Sequence, residues 1–135
     1  MSNASVFFDT NVLLYLLSGD GEKADRAEGL IAEGGTISVQ VLNEFAAVAT
    51  RKLAMRLPEI REVLSAVRAL CAVEPLSVAT HERALDLAER FRLSFYDALI
   101  VAAAALAKCS ILCSGDMQDG QVIDGVIIRN PFAAS

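Results

Sequence analysis

Apolar residues alternate along this chain between two kinds of run. Short β-rich stretches at residues 5–8, 36–39, 73–76, 111–113 and 126–128 are each three or four residues long. Between them lie longer segments in which apolar residues recur every three or four positions, the spacing of a helix with one buried face. The first such segment, 12–17, is a turn or two that ends at the Ser18-Gly19-Asp20-Gly21 break. Residues 23–33 put Ala24, Ala27, Leu30 and Ile31 on one side and close at Gly34-Gly35, a helix stop signal. Further helices are predicted over 40–54, over 78–92, over the strongly apolar 96–108, and from the neighbourhood of Pro58, suited to a first turn, to about residue 71.

Strand and helix alternation predicts an α/β fold: one domain over residues 1–135, with a mostly parallel sheet of four to five strands flanked by helices. Sheets of this kind place their sites beyond the carboxyl ends of the strands. Chain position thereby becomes a test for functional residues. Asp9 follows the first strand directly, and Asp116 and Asp119 follow the fourth.

Composition supports a packed domain, since 54% of the 135 residues are hydrophobic and 21% charged, too apolar a mixture for disorder. The longest uninterrupted apolar stretch, residues 98–107, is about half a bilayer crossing. No basic N-terminus leads into an apolar core and cleavage site, so a cytoplasmic protein is expected. Cys71, Cys109 and Cys113 are odd in number and sit in apolar surroundings without metal-ligand spacing; they read as reduced core thiols. The net charge of −5 argues against a generally basic nucleic-acid binder.

Two acids need a helical argument. Glu44 has Val41 three residues before it and Val48 four after it, and no lysine or arginine stands three or four residues away. Asp97 heads a stripe of Ile100, Val101 and Ala104. Carboxylates on apolar helix faces require a cation or hydrogen-bonding partner. Each acid also has a plain structural reading. Asp9-Thr10-Asn11 is a good helix start; Ser94-Phe95-Tyr96-Asp97 has the form of a capping box; Ser114-Gly115-Asp116 and Asp119-Gly120 fit turns. Glu44, in mid-helix, needs no cap. One shared cation site accounts for the five acids together where five separate caps do so poorly.

The segments FFDTNVLLY, VLNEFAAV, SFYDALIVAAA and LCSGDMQDGQVIDGVIIRNPF resemble, in order and over almost the whole chain, the four signature blocks of PIN-domain proteins, most closely the VapC-type toxin ribonucleases of toxin-antitoxin pairs. The resemblance implies a single-domain, three-layer PIN-like fold. It maps Asp9, Glu44, Asp97 and Asp116 onto an acidic catalytic and metal-binding quartet, Asp119 onto a frequent fifth metal-binding acid, and Thr10 and Ser114 onto supporting hydroxyls. It also implies Mg²⁺, with Mn²⁺ as a substitute, RNA cleavage leaving a 5′-phosphate and a 3′-hydroxyl, a cognate VapB-type antitoxin covering the acidic groove, and a homodimer.

Oxygen-only ligands suit hard cations such as Mg²⁺, and no histidine or cysteine cluster favours zinc. His81, the only histidine, reads as a solvated surface residue. Removing the five proposed site acids from the seventeen leaves twelve, equal to the twelve lysines and arginines, so the negative excess resides in the site. Two carboxylates about 5 Å apart repel by roughly 3 kcal/mol at an effective dielectric near 20, which a divalent ion relieves. Arg51, Lys52, Arg56, Arg90 and Arg92 are the basic groups available to hold RNA, each with an ordinary solvated helix end as its alternative. The apolar content of residues 53–70 adds to the case for a homodimer. Two rival functions stand beside the nuclease. One is a binding module that holds a structural cation or RNA without turnover. The other is a haloacid dehalogenase-type phosphatase, whose second aspartate is replaced here by Asn11.

Overall fold

The computed structural model describes residues 5–133. Strand β1 (Val6–Phe8) leads into α1 (Thr10–Tyr15) and α2 (Gly21–Ala32), then β2 (Gly35–Ser38), α3 (Val39–Leu53), α4 (Leu57–Leu70) and β3 (Cys71–Glu74). Helices α5 (Val78–Phe91) and α6 (Phe95–Leu106) follow, then β4 (Ile111–Cys113), β5 (Val122–Ile123) and β6 (Val126–Arg129). The strand order is β3-β2-β1-β4-β6-β5. Every pairing is parallel except that of β5 with β6.

This order positions the site. From β1 the chain adds β2 and β3 on one side, and after two helices it returns to place β4 against the other side of β1. The order therefore reverses between β1 and β4, and the loops leaving their carboxyl ends diverge to open a crevice. Phe8 pairs with Cys113 in register, so Asp9 and Ser114, the next residue of each strand, emerge side by side.

Packing fixes both strands rigidly. Phe7, Phe8 and Leu112 are fully buried, as expected for central parallel strands covered on both faces. Ala98 to Ala104 of α6 are buried without a break, which is why the 96–108 segment reads as apolar all round. On α3 the buried stripe is Val41, Phe45 and Ala49, with the half-buried Glu44 at its border. All three cysteines are buried and unbridged, and burial pushes the Cys113 thiol up to about 11. His81 is exposed, its ring edge-on to Phe95 at 5.7 Å. Among the described residues no helix is long and apolar enough to cross a membrane.

The sheet has six strands, not the expected four to five. The extra one, β5, is two residues long and turns back onto β6 through Asp124-Gly125, whose φ angles are 54° and 81°. Two consecutive positive φ values are the signature of a type I′ hairpin, for which Asp-Gly is a preferred pair. Strand β3 begins at Cys71, two residues earlier than expected, because α4 passes into it without a loop.

Candidate active site at the ends of the two central strands

Asp9 is 6% exposed. Its Oδ1 accepts from the Thr10 backbone N–H at 2.7 Å, capping α1, and its Oδ2 lies 2.9 Å from the Ser114 hydroxyl. The aspartate is thus a cap and a member of a site at once. Ser114 Oγ also lies 3.0 Å from Asp116 Oδ1. A hydroxyl carries one proton, so it serves only one of these carboxylates at a time. The other is left short of a donor, a deficit that a proton or a cation would fill.

Glu44 reaches the same region from α3. Its Oε1 accepts from the Thr10 hydroxyl at 2.6 Å and its Oε2 from Gln40 Nε2 at 3.1 Å. Gln40 also donates to the Tyr96 carbonyl at 3.2 Å, tying α3 to the first turn of α6 beside Asp97. Its Oε1 is buried with no hydrogen-bond partner among the described residues. Asp97 receives a cap from Ser94, whose Oγ accepts the Asp97 N–H at 3.2 Å.

Electrostatics couples the four acids. Burial pushes the Asp9 carboxyl up from the ordinary 3.8 to about 7; bonds from Ser114 and Thr10 pull it down, and the charges of Asp116 and Asp97 push it up again. Burial likewise raises Asp97, with Asp116 adding to the rise, the Ser94 bond opposing it and Glu44 contributing further. Asp9 therefore feels Asp116 and Asp97, and Asp97 feels Asp116 and Glu44, across the crevice. Among the described residues no three His, Cys, Asp or Glu side chains meet at a common point close enough to hold an ion as they stand. Glu44 turns instead to Thr10 and Gln40, and Asp9 to Thr10 and Ser114. In donor chemistry the set fits a hard cation, being carboxylates and hydroxyls only.

Asp119 is placed differently. It is exposed, its Oδ1 accepts from the Asn130 backbone N–H at 2.8 Å, and its charge is not among the influences on Asp9 or Asp97. Three residues beside the acids escaped the reading of the sequence: Asn11, Gln40 and Asn130. Gln40 stands one helical turn before Glu44, a spacing at which such pairs bond, and this was the available signal. Of the basic candidates, Arg56 pairs with Glu59 at 3.7 Å and Arg90 with Asp86 at 3.2 Å, while Arg51, Lys52 and Arg92 are exposed.

Two hollows lie away from the acids. One, of about 470 Å³, is lined by Leu16, Leu17, Ile31, Val63, Val67 and Leu70, with Asp25, Glu28 and Glu62 at its edge. The other, of about 350 Å³, runs along α4 past Leu57, Ile60 and Leu64.

A mostly parallel sheet flanked by helices, with Asp9 and Ser114 side by side where the strand order reverses, defines an α/β protein. The chain belongs to the PIN domain family, whose profile matches residues 6–118. Among solved structures it is similar to a toxin-antitoxin complex from Klebsiella pneumoniae, at 25% identity and a TM-score of 0.73, covering 96% of this chain and 100% of that one. It is also similar to Mycobacterium tuberculosis VapC20, a sarcin-ricin loop cleaving toxin, at 21% identity and 0.62, covering 80% and 87%. A third is VapBC2 from Rickettsia felis bound to a promoter DNA fragment, at 19% and 0.63, covering 93% and 97%. Comparison with curated protein sequences finds no match.

Proposed function

We propose that this PIN domain is a Mg²⁺-dependent endoribonuclease, the toxin of a toxin-antitoxin pair acting in the cytoplasm, with Mn²⁺ able to replace Mg²⁺. The observation that carries the reading is the convergence of Asp9 and Asp116 on Ser114 and of Glu44 on Thr10 at the β1–β4 crevice, with Asp97 and Asp116 among the charges that help raise the Asp9 carboxyl to about 7. Such a cluster is costly when empty of positive charge and becomes favourable when it holds a divalent ion.

Asp9, Asp97 and Asp116 would hold the ion, with Glu44 beside them. When bound, Mg²⁺ supplies an activated water and neutralises charge growing on the phosphoryl oxygens. The chain's own residues do the positioning. Ser114 shares its proton between Asp9 and Asp116 and keeps the two carboxylates apart by one hydroxyl. Thr10 and Gln40 grip the two oxygens of Glu44 and fix its place beside Asp9. No side chain need act as nucleophile. A crevice open to solvent admits a polymer backbone, in keeping with an RNA substrate, and the exposed Arg51, Lys52 and Arg92 are the groups available to its phosphates.

The similarity to a toxin-antitoxin complex over 96% of this chain and 100% of that one supports an antitoxin partner. The leucine-lined hollow between α2 and α4, with acids at its edge, suits an amphipathic helix that carries basic residues beside its apolar face. Exposed Leu53 and Leu57, the latter 66% accessible, support a homodimer through the start of α4.

Incubating labelled RNA with the purified chain tests the proposal. Cleavage with Mg²⁺ or Mn²⁺ and none with chelator is expected. Metal-dependent stabilisation without turnover would instead establish a binding module.

A further inference from the structure

We propose that Asp119 is a positioning residue that acts through Asn130 on the Gly115 peptide, and that it does not lend its charge to a cation. The inference rests on the metal-site reading above. It starts from what holds the 114–116 segment, which carries both Ser114 and Asp116.

The Gly115 peptide groups are gripped from two sides. The N–H donates to Asn11 Oδ1 at 2.9 Å, and the carbonyl accepts from Asn130 Nδ2 at 3.3 Å. Asn130 is itself held three times: its backbone N–H donates to Asp119 Oδ1 at 2.8 Å, its Oδ1 accepts from the Phe132 N–H at 2.9 Å, and its carbonyl accepts from the Ala133 N–H at 3.3 Å. Phe132 packs edge-on to Tyr15 at 4.5 Å. Tyr15 fills the space in which a Cβ on Gly115 would stand, with its hydroxyl 2.6 Å and its Cε2 2.8 Å from that point. Asp119, Asn130, Gly115, Tyr15 and Phe132 thus close a loop of contacts.

Asp119 has a defined place in that loop. Strand β6 accepts from the loop after β4 at Arg129 and Ile128, through the Ser114 and Gly120 N–H groups. In the other direction the Ile128 N–H donates to the Gln121 carbonyl, and the Asn130 N–H, with no loop carbonyl opposite it among the described residues, donates to the Asp119 carboxylate. The carboxylate oxygen is what this contact uses. The side chain is exposed and turned to the Asn130 backbone.

Charge and acceptor are separable by substitution. Asp119→Asn keeps an oxygen for the Asn130 N–H and removes the charge; Asp119→Ala removes both. Mn²⁺ binding by calorimetry on the full chain without RNA, with a thermal melt of each variant, reads the difference. Asp119→Asn is expected to bind within about twofold of the unaltered chain, and Asp119→Ala and Asn130→Ala to bind about tenfold more weakly, as loss of a supporting partner does. The double Ala variant should be no weaker than either single one, since both break the same link. Loss in Asp119→Asn as large as in Asp116→Asn would overturn the proposal and leave the metal site standing. Unchanged affinity in both Ala variants would overturn it equally. Absence of Mn²⁺ binding by the unaltered chain would overturn the site and the proposal together.

Discussion

Helices α5 and α6 begin with the same chemistry and end up with different jobs. At α5, Ser77 Oγ accepts the Thr80 N–H and Thr80 Oγ1 accepts the Ser77 N–H, both at 3.3 Å, so the box closes on itself. At α6, Ser94 accepts the Asp97 N–H, and the Asp97 carboxylate, besides its bond with the Ser94 side chain, feels Asp116 and Glu44. Asp20 and Asp9 repeat the contrast. Both cap helices, yet Asp20 is exposed and serves only the Glu22 N–H, while Asp9 is buried between Ser114 and the other acids. A cap is a local arrangement of three or four residues; a site depends on what the sheet brings opposite.

The sharpest way to break this comparison is to exchange charge for shape. Asp9→Asn and Asp97→Asn should each lower RNA cleavage by about 10³-fold or more with unchanged circular dichroism, whereas Asp20→Asn should stay within about twofold. Equal activities across the three variants would erase the distinction.

A second effect concerns stability without metal. Asp9 has its folded-state pKa raised from 3.8 to about 7. Below about pH 4 the carboxyl is protonated folded or unfolded and costs nothing. As pH rises toward about 7 the unfolded chain gives up the proton and the folded chain keeps it, so stability falls; above about 7 the full cost is present. That interval corresponds to on the order of 4 kcal/mol. Asp9→Asn should therefore melt higher than the unaltered chain at pH 8, by roughly 10–15 °C, and the gap should close at pH 4. A lower melting point at pH 8 would refute the burial argument. By the same equilibrium, Mn²⁺ affinity should rise about tenfold per pH unit below about 7 and level off above it.

The smallest effect separates the two serine caps. Ser77→Ala and Ser94→Ala should each cost about 1 kcal/mol in chemical denaturation. Only Ser94→Ala removes a bond that holds the Asp97 pKa down, so only there should the pH–rate curve for cleavage move upward. A shift in both variants, or in neither, would mean that Asp97 lies outside the reaction.

Much of this was legible from residue order. Asp9 could be placed because a strand of Val6-Phe7-Phe8 ends on it, and Glu44 because no cap or counter-ion explained an acid within an apolar stripe. The 71–74 strand was misplaced by two residues since α4 runs into it with no Gly or Pro to mark the junction. Strand β5 escaped notice because two residues cannot show an alternation, although Asp124-Gly125 marked the turn. Asn130 looked like an ordinary polar residue and Asn11 like part of a helix start; their partner Gly115 is 15 and 104 residues away, whereas Gln40 lies one helical turn from Glu44.

By itself, residue order determined which segments are strands or helices and which acids stand at their ends, because periodicity, caps and turns act over a few neighbouring residues. Which strand lies beside which was decided only in three dimensions. Placing β4 against β1 brings Ser114 to Asp9 across 105 residues and leaves Asp119 to the Asn130 backbone. Burial and Coulomb repulsion depend on distance through space, so the raised proton affinity of Asp9 exists only once the sheet has closed around it.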